Sequence, residues 1–195
     1  MKLILASAST SRAAILRSAG VPTEVHPAQI DESSIKNRMH GSDGDTIAAK
    51  LAELKALRIS TLHPQDLVLG ADQLLILNGN LFSKAETLDT AETQLRALRG
   101  KSHQLTNALL LAHAGKPVWQ YTDHATLWMR DFSDDFLKHY LITEKDSVLG
   151  SVGCYRLEGV GVQLFERIEG DYFSILGLPL LPLLAVLRDY GMLQL

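Results

Sequence analysis

Residues 67–77 read LVLGADQLLIL, an apolar run that contains a single carboxylate, Asp72. The run predicts a buried strand that ends at Asp72, and the residues from Leu74 to Leu77 continue the extended pattern. Asn78-Gly79, directly after it, is typical of a two-residue hairpin turn. Ligands of open α/β sheets gather at the carboxyl ends of strands, so a carboxylate in this place is a candidate functional residue.

Helical and extended patterns alternate on both sides of this strand. Apolar residues at helical spacing predict helices over 46–59, with Asp45 as a cap, and over 89–98, 133–142 and 180–190. A further helix follows the polar segment 7–11 and ends at Gly20, while residues 31–45 are polar and are predicted to form a loop. Strands are predicted over 2–6, 23–28, 103–113, 118–129 and 159–168. This alternation indicates the α/β class.

The composition is that of an ordinary globular protein and excludes several kinds of function. The 195 residues carry a net charge of -3, which argues against bulk binding of nucleic acid or of anionic membranes. The one cysteine, Cys154, excludes an internal disulfide and a thiolate zinc cluster, and we expect a packed thiol. No apolar segment has the length of a membrane span or the pattern of a signal peptide, so we expect a cytoplasmic protein.

The start of the first helix is a candidate phosphate site. Ser7, Ser9, Thr10 and Ser11 bring hydroxyl groups to a helix N-terminus, and Arg12 lies in its first turn. Unpaired backbone N–H groups and the helix dipole attract anions at such a terminus, and arginine grips phosphate oxygens with two N–H groups. A well-capped helix without any ligand explains the same local pattern. The segment lacks the Gly-x-x-x-x-Gly-Lys pattern of a P-loop.

The acids and lysines suggest a second kind of chemistry. Asp72 and Glu32 could bind Mg²⁺ or Mn²⁺ if the fold brings them together, because these ions prefer carboxylate, water and phosphate oxygens. Lys55 and Lys84 could neutralise phosphate charge. The alternatives are capping or turn roles for the acids and solvated positions for the lysines. The seven histidines show no paired metal-ligand spacing, and no nucleophile elbow marks a Ser-His-Asp triad.

Several fragments occur together in one order along the chain. They are Leu5–Leu16, Asp31–Ser33, Ala52–Ala56, Gly70–Gln73, Ser83-Lys84, Gly153–Gly161 and Gly177–Leu180. In this order they resemble the signatures of the Maf family over nearly the whole chain. The resemblance implies one domain over 1–195, with an elongated mixed sheet flanked by helices and two lobes around a central cleft, similar to the inosine triphosphatase type.

The resemblance also implies an activity. Members of the family hydrolyse nucleoside triphosphates to a monophosphate and pyrophosphate with a divalent cation (Mg²⁺, Mn²⁺ or Co²⁺). The resemblance implies that Asp72 is the catalytic base and that Glu32 helps Asp72 at the metal. The phosphate ligands that it implies are Ser7, Ser9, Arg12, Lys55 and Lys84. It leaves a homodimer open.

Gln73, Glu158 and the run 162–170 resemble the YceF-type branch of the family, which prefers 7-methyl-GTP. A carboxylate at Glu158 suits a methylated guanine, because it accepts guanine N–H groups and favours the positive ring. Ser11 stands where that branch has Trp, which bears on base specificity, and Thr10 and Ala85 replace two prolines of the family. A dTTP/UTP pyrophosphatase and a non-hydrolysing nucleotide-binding regulator of cell division are the alternatives.

Overall fold

The computed structural model describes residues 1–194, so Leu195, the last residue of the predicted domain, lies outside the described residues. The strands are β1 Leu3–Leu5, β2 Thr23–Val25, β3 Leu67–Leu77, β4 Asn80–Phe82, β5 Ser102–His113, β6 Lys116–Met129 and β7 Phe165–Glu169. The α-helices are α1 Thr10–Ser18, α2 Glu32–Arg38, α3 Gly44–Leu62, α4 Leu88–Leu98, α5 Asp134–Glu144, α6 Tyr172–Ile175 and α7 Leu180–Asp189. Short 3-10 helices occupy Lys145–Gly150 and Val160–Leu164. The strands form a mixed seven-stranded sheet, which confirms the predicted α/β class.

The chain divides into two compact units. Of the described residues, the first consists of 1–73, 107–123 and 172–194, and the second of 74–106 and 124–171. Strands β3, β5 and β6 each pass from one unit into the other along their length. Among residues 1–194, no helix is both long enough and apolar enough to cross a membrane. The predicted arrangement of two lobes around a cleft stays a prediction.

In the first unit, β1 is the centre of a parallel trio. It pairs with β2 on one side and with β3 on the other, with Leu3 opposite Leu67 and Leu5 opposite Leu69. Parallel strands inside a sheet are buried on both faces, and β1 and the start of β3 accordingly have aliphatic side chains at successive positions. Strand β2, with the sequence Thr23-Glu24-Val25, is partly exposed. The parallel pairing with β3 ends at Leu69, so the residues that follow on β3 lie beyond its carboxyl end.

The alternation of side chains along β3 decides what each residue faces. Leu67, Leu69 and Ala71 point into the core formed with α1 and α7. Val68 points to the opposite face, where it packs with Ile59 of α3. A Cβ at Gly70 would lie 2.0 Å from the carbonyl oxygen of Ala52, so α3 packs directly on the β3 backbone there. Asp72 therefore faces α3, and Gln73 faces the side of α1.

The second unit is built from hairpins and from α4 and α5. Strands β3 and β4 pair antiparallel around Asn78-Gly79, and both turn residues have positive φ, as a type I′ turn requires. Strand β7 pairs antiparallel with β6, with an irregularity between Trp128 and Met129. Cys154 is buried in this unit, and burial raises the pKa of its thiol to about 11, which confirms a packed thiol.

Some predicted elements differ from those observed. Residues 31–45 contain the helix α2, which Asp31 caps by accepting the backbone N–H of Ser34, so the predicted loop was wrong. Asp43, rather than Asp45, caps α3. The start of the predicted strand 159–168 is a 3-10 helix, so this part of the prediction was wrong. Within it, Gly161 packs so closely on Arg156 that an added Cβ would lie 2.5 Å from the Arg156 carbonyl oxygen.

Candidate active site

The Asp72 carboxylate lies in the middle of β3 rather than at its end, so the predicted strand end was wrong. It nevertheless lies beyond the carboxyl end of the parallel pairing between β1 and β3, which is the place where ligands gather in such sheets. The side chain is buried, and its Oδ1 accepts a hydrogen bond of 2.6 Å from Lys55 Nζ. Its Oδ2 has no hydrogen-bond partner among residues 1–194.

Lys55 brings the second carboxylate to the same place. It lies on the buried face of α3, and its Nζ is 2.6 Å from Asp72 Oδ1 and 2.6 Å from Glu32 Oε1. Glu32 is the first residue of α2, the helix that the sequence analysis missed. A buried ammonium group must be neutralised, and the two carboxylates do this from two different elements.

The electrostatics of the two acids differ. Burial raises the pKa of Asp72 above its ordinary value of 3.8, although Lys55 and Arg12 act in the opposite direction. Burial also acts to raise the pKa of Glu32, but Lys55, Lys36 and Arg12 together outweigh it and lower this pKa. Two neighbouring carboxyl groups with pKa values shifted apart are typical of sites where one group exchanges a proton and the other stays ionised.

Arg12 is a buried cation at the start of α1. Its Nε donates to the carbonyl oxygen of Gly177 at 2.8 Å, and its Nη1 donates to Ser7 Oγ at 3.1 Å and to the carbonyl oxygen of Ala71 at 3.0 Å. Burial lowers the pKa of Arg12, and Asp72 and Glu32 oppose this effect. Arg12 thus contributes its charge to the same cluster as Lys55.

The polar segment before α1 is ordered by its own hydroxyl groups. Ser9 is the N-cap, since its Oγ accepts the backbone N–H of Arg12, and Ser7 Oγ accepts the backbone N–H of Ser9 at 3.2 Å. Ser11 lies exposed in the first turn of the helix. The capped-helix interpretation is therefore confirmed, and the phosphate site stays a prediction.

Gln73 faces away from Asp72, as the alternation of the strand requires. Its Nε2 donates to the carbonyl oxygens of Ser174 and Ile175 at 3.0 and 3.1 Å. The remaining candidates lie in the second unit. Lys84 is exposed in the segment after β4, and Glu158 has an Oε1 3.9 Å from Arg156 Nη2.

The residues present fit a divalent cation held mainly by substrate. Among residues 1–194, no group of three or more His, Cys, Asp or Glu is arranged to bind a metal. Asp72 and Glu32 supply two carboxylates, each with an oxygen 2.6 Å from the same Lys55 ammonium group. Mg²⁺ is commonly held by one or two carboxylates together with substrate phosphates, so this pair satisfies the protein's share of such a site.

A cavity of about 680 Å³ lies between α2 and α3, away from these charges. Its lining is mostly apolar and consists of Ile30, Ile35, Arg38, Met39, Lys50, Leu54, Leu57, Arg58 and Thr61. Neither Asp72 nor Arg12 lines it. We therefore place the candidate active site at the buried charge cluster and not in this cavity.

Comparison with known families decides the affiliation of the chain. The sequence profile of the Maf family, described as Maf-like protein, matches residues 2–190. The chain belongs to the Maf family. This confirms the resemblance that the ordered fragments indicated.

Named relatives of the chain cover almost its full length. A protein of Granulibacter bethesdensis named nucleoside triphosphate pyrophosphatase is 50% identical over 97% of this chain and 98% of its own. One of Maricaulis maris with the same name is 48% identical over 99% of this chain and 98% of its own. A protein of Rhizobium etli named 7-methyl-GTP pyrophosphatase is 45% identical over 97% of this chain and 96% of its own. Among solved structures, a HAM1 protein from Coxiella burnetii matches 68% of this chain and 74% of its own, with 15% identity and a TM-score of 0.45.

The sequence analysis missed the residues that surround Arg12 and Gln73. Asn107 on β5 is fully buried, and its Nδ2 donates to the carbonyl oxygen of Ser174 at 2.9 Å. A weak signal was present, because Thr106-Asn107 directly precedes the apolar run 108–112 of the same strand. A buried amide needs partners, and this need could have marked Asn107 from the sequence alone.

Proposed function

We propose that this chain hydrolyses nucleoside triphosphates between the α- and β-phosphates and yields a nucleoside monophosphate and pyrophosphate. The observation that carries the proposal is the buried cluster of Asp72, Lys55 and Glu32 next to buried Arg12. The relatives named nucleoside triphosphate pyrophosphatase, at 48% and 50% identity over nearly the whole chain, support it. We place the reaction in the cytoplasm and propose a homodimer as the assembly, which sedimentation at assay concentration tests.

Asp72 is the proposed general base. It takes a proton from water as the water oxygen bonds to the α-phosphorus, while the bond from that phosphorus to the bridging oxygen breaks. Pyrophosphate leaves with the bridging oxygen. The unpartnered Oδ2 is the available proton acceptor, because Oδ1 already accepts from Lys55. A positioned base of this kind contributes about 10²–10⁴-fold in rate.

The cations stabilise the charge that the reaction spreads over the phosphate oxygens. Arg12 and Lys55 are buried, so their electrostatic attraction is screened less than that of surface charges. Ser7 and Ser9 order the helix terminus at which a phosphate binds, and Lys84 is the proposed third cation. Positioning and charge stabilisation of this kind dominate catalysis of phosphoryl transfer.

Glu32 and Asp72 are the proposed holders of a divalent cation, Mg²⁺, Mn²⁺ or Co²⁺. When bound, such an ion neutralises phosphate charge and polarises phosphoryl oxygens. Lys55 keeps the two carboxylates close together through its contacts with both.

The proposed preferred substrate is 7-methyl-GTP. The relative from Rhizobium etli bears that name at 45% identity, and Glu158 offers a carboxylate to a positively charged ring. Ser11 and Gln73 are the other residues to which we assign an effect on base preference. A preference for dTTP or UTP is the competing outcome.

Product analysis with a panel of triphosphates tests the proposal. We expect wild-type protein with Mg²⁺, Mn²⁺ or Co²⁺ to release pyrophosphate from 7-methyl-GTP faster than from GTP, dTTP or UTP. Asp72→Asn should lower kcat by about 10²–10⁴-fold with unchanged circular dichroism. Asp189→Asn, an exposed acid on α7, is the matched control and should keep wild-type turnover.

Two results would contradict this assignment. Near-normal turnover of Asp72→Asn would remove Asp72 as the base. Binding of nucleotide by the wild type without any pyrophosphate release would favour a non-hydrolysing nucleotide-binding regulator, the alternative from a different class.

A further inference from the structure

The Arg12 guanidinium group uses two of its three nitrogen atoms in hydrogen bonds. Nε and Nη1 donate to the three acceptors described above, all within the first unit. Nη2 donates no hydrogen bond to any of residues 1–194. Two of the three acceptors, Ser7 and Ala71, belong to the segment before α1 and to β3. The third, the Gly177 carbonyl, comes from a turn near the C-terminus.

That turn is the end of the four-residue helix α6. Gly177 has φ of 95°, a value that favours glycine, and its N–H donates to the Ser174 carbonyl oxygen at 3.0 Å. The N–H of Leu178 donates to the Phe173 carbonyl oxygen, which completes a Schellman cap. The carbonyl oxygen of Gly177 thereby points at Arg12.

A helix of one turn does not persist alone, because its nucleation is unfavourable. Here, side chains from three strands hold it. Asn107 of β5 and Gln73 of β3 both donate to the Ser174 carbonyl oxygen, at 2.9 and 3.0 Å. The Ser174 hydroxyl in turn donates to Asp123 of β6. The Ser174 carbonyl oxygen thus accepts two side-chain amides in addition to its own turn bond.

Asn107 is the least expected member of this set. It is fully buried beside the apolar run 108–112 of β5, and its Oδ1 has no hydrogen-bond partner among residues 1–194. A buried acceptor without a partner destabilises the folded protein, so packing alone would favour an apolar residue of similar shape. The contact that this residue does make is the one from Nδ2 to the turn.

We infer that Asn107 and Gln73 are positioning residues, which hold the α6–Gly177 turn so that its carbonyl fixes Arg12 with Nη2 directed at a substrate phosphate. The inference rests on the proposed function for the identity of the ligand. The inference explains why Gln73, on the Arg12 side of β3, donates to the Ser174 carbonyl oxygen. The side chains of both residues act through the turn and do not contact the reacting atoms.

A double-mutant cycle between Asn107 and Arg12 tests this chain of contacts. Asn107→Leu removes the donor and keeps the number and branching of the side-chain heavy atoms, and we expect kcat/KM to fall by roughly 10- to 100-fold, as small misplacements of catalytic groups do. In an Arg12→Ala background, the same change should alter kcat/KM by less than about two-fold, because residues that act as a unit are not additive. The inference would be overturned if Asn107→Leu lowered kcat/KM equally in the wild-type and Arg12→Ala backgrounds. It would also be overturned if Asn107→Leu did not lower kcat/KM in the wild-type background.

A stability control separates positioning from simple destabilisation. Ser60→Ala removes a fully buried hydroxyl that accepts the Gly115 N–H elsewhere in the first unit, so it should lower Tm and leave kcat/KM unchanged. If Asn107→Leu does not fold, Gln73→Leu replaces it in the same cycle with the same expectations.

Binding of inorganic pyrophosphate distinguishes failure of this inference from failure of the proposed function. Calorimetry should show weaker pyrophosphate binding for Asn107→Leu than for the wild type. The Arg12→Ala variant and the double variant with Arg12→Ala and Asn107→Leu should bind pyrophosphate equally. This result without any triphosphate hydrolysis would leave the inference standing and remove the proposed function. Triphosphate hydrolysis that is unaffected by Asn107→Leu would overturn the inference and leave the proposed function standing. A wild type that neither hydrolyses triphosphates nor binds pyrophosphate would overturn the inference and the proposed function together.

Discussion

The two oxygens of Asp72 have different surroundings, and this difference gives the residue its proposed chemistry. Oδ1 is 2.6 Å from the Lys55 ammonium, while Oδ2 is buried without a partner among residues 1–194. A carboxylate that is held through one oxygen keeps the other free to accept a proton. Breaking such a buried pair usually costs about 3–5 kcal/mol, because an uncompensated charge remains.

The pH dependence of turnover should respond to Lys55. Burial raises the pKa of Asp72 and Lys55 opposes this, so Lys55→Met should raise that pKa further. A general base works only when it is deprotonated, and activity is therefore lost as the pH falls through its pKa. We expect the acid limb of the kcat/KM profile to move to higher pH in Lys55→Met.

Lys50→Met provides the control for that profile. Lys50 is exposed on the same helix and pairs with Glu53, so its removal should leave the acid limb in place. If the acid limb of Lys55→Met stayed at the wild-type pH, Lys55 would have no effect on the pKa of the general base, and the prediction would be wrong.

Glu158 should affect the choice of base rather than the chemistry. The methylated ring of 7-methyl-GTP is positively charged and that of GTP is not, so only the former gains from a carboxylate. Glu158→Gln should reduce the ratio of kcat/KM for 7-methyl-GTP over GTP by about five-fold, the equivalent of roughly 1 kcal/mol for a charge pair in water. Glu166→Gln, an exposed acid on β7, should leave the ratio unchanged, and an unchanged ratio in Glu158→Gln would exclude this role.

At the scale of elements, the contact between β3 and α3 sets the position of Lys55. Gly70 allows α3 to lie on the strand, and Ala52 and Ala56, which a Cβ at Gly70 would meet, flank Lys55 along the helix. Two residues further along β3, on the same face, Asp72 then meets the Lys55 ammonium. One glycine and two alanines thus determine the distance between base and cation.

Gly70→Ala should damage stability and activity together. The added methyl group would lie 2.0 Å from the Ala52 carbonyl oxygen and 2.8 Å from Ala56 N, so helix and strand must separate. Overpacking of this kind costs about 1–3 kcal/mol and occasionally more, which urea unfolding measures.

Gly150→Ala is the matched control for that substitution. A Cβ at Gly150 would have no heavy atom within 4 Å, so we expect wild-type stability and turnover. A wild-type urea midpoint in Gly70→Ala would contradict the close packing of α3 on β3.

The elements with regular hydrophobic patterns were predictable from the sequence, and the rest were not for physical reasons. The apolar run of β3 was evident, but the strand was predicted to end at Asp72, because an unpaired charge is rarely buried inside a strand. The strand continues through Asp72 because Lys55 neutralises this carboxylate. Helix α2 has no buried residue, so it lacks the apolar stripe by which helices are found.

The candidate site followed from the sequence only in part. The sequence marks Asp72, Lys55, Glu32 and Arg12 as candidates, and the structure brings them together in the first unit. The contacts of Arg12 with Gly177 and of Gln73 with Ser174 join residues 165 and 101 positions apart. No local pattern reports pairings over such separations.

At the scale of the whole molecule, the family match and the relatives extend over nearly the entire chain. The Maf family profile covers residues 2–190, and the relatives align over 97–99% of this chain, as seen for Granulibacter bethesdensis and Maricaulis maris. Of the candidate residues, eight lie in the first unit and two, Lys84 and Glu158, in the second. Activity should therefore be assayed with the full chain.

Hydrolysis of 7-methyl-GTP in ¹⁸O-labelled water tests the central proposal most directly. Attack of water on the α-phosphorus transfers the label to the monophosphate and leaves pyrophosphate unlabelled, which mass spectrometry of both products measures. We predict ¹⁸O in 7-methyl-GMP alone, at a rate that falls about 10²–10⁴-fold in Asp72→Asn. Label in pyrophosphate, or release of orthophosphate in its place, would contradict the proposed reaction.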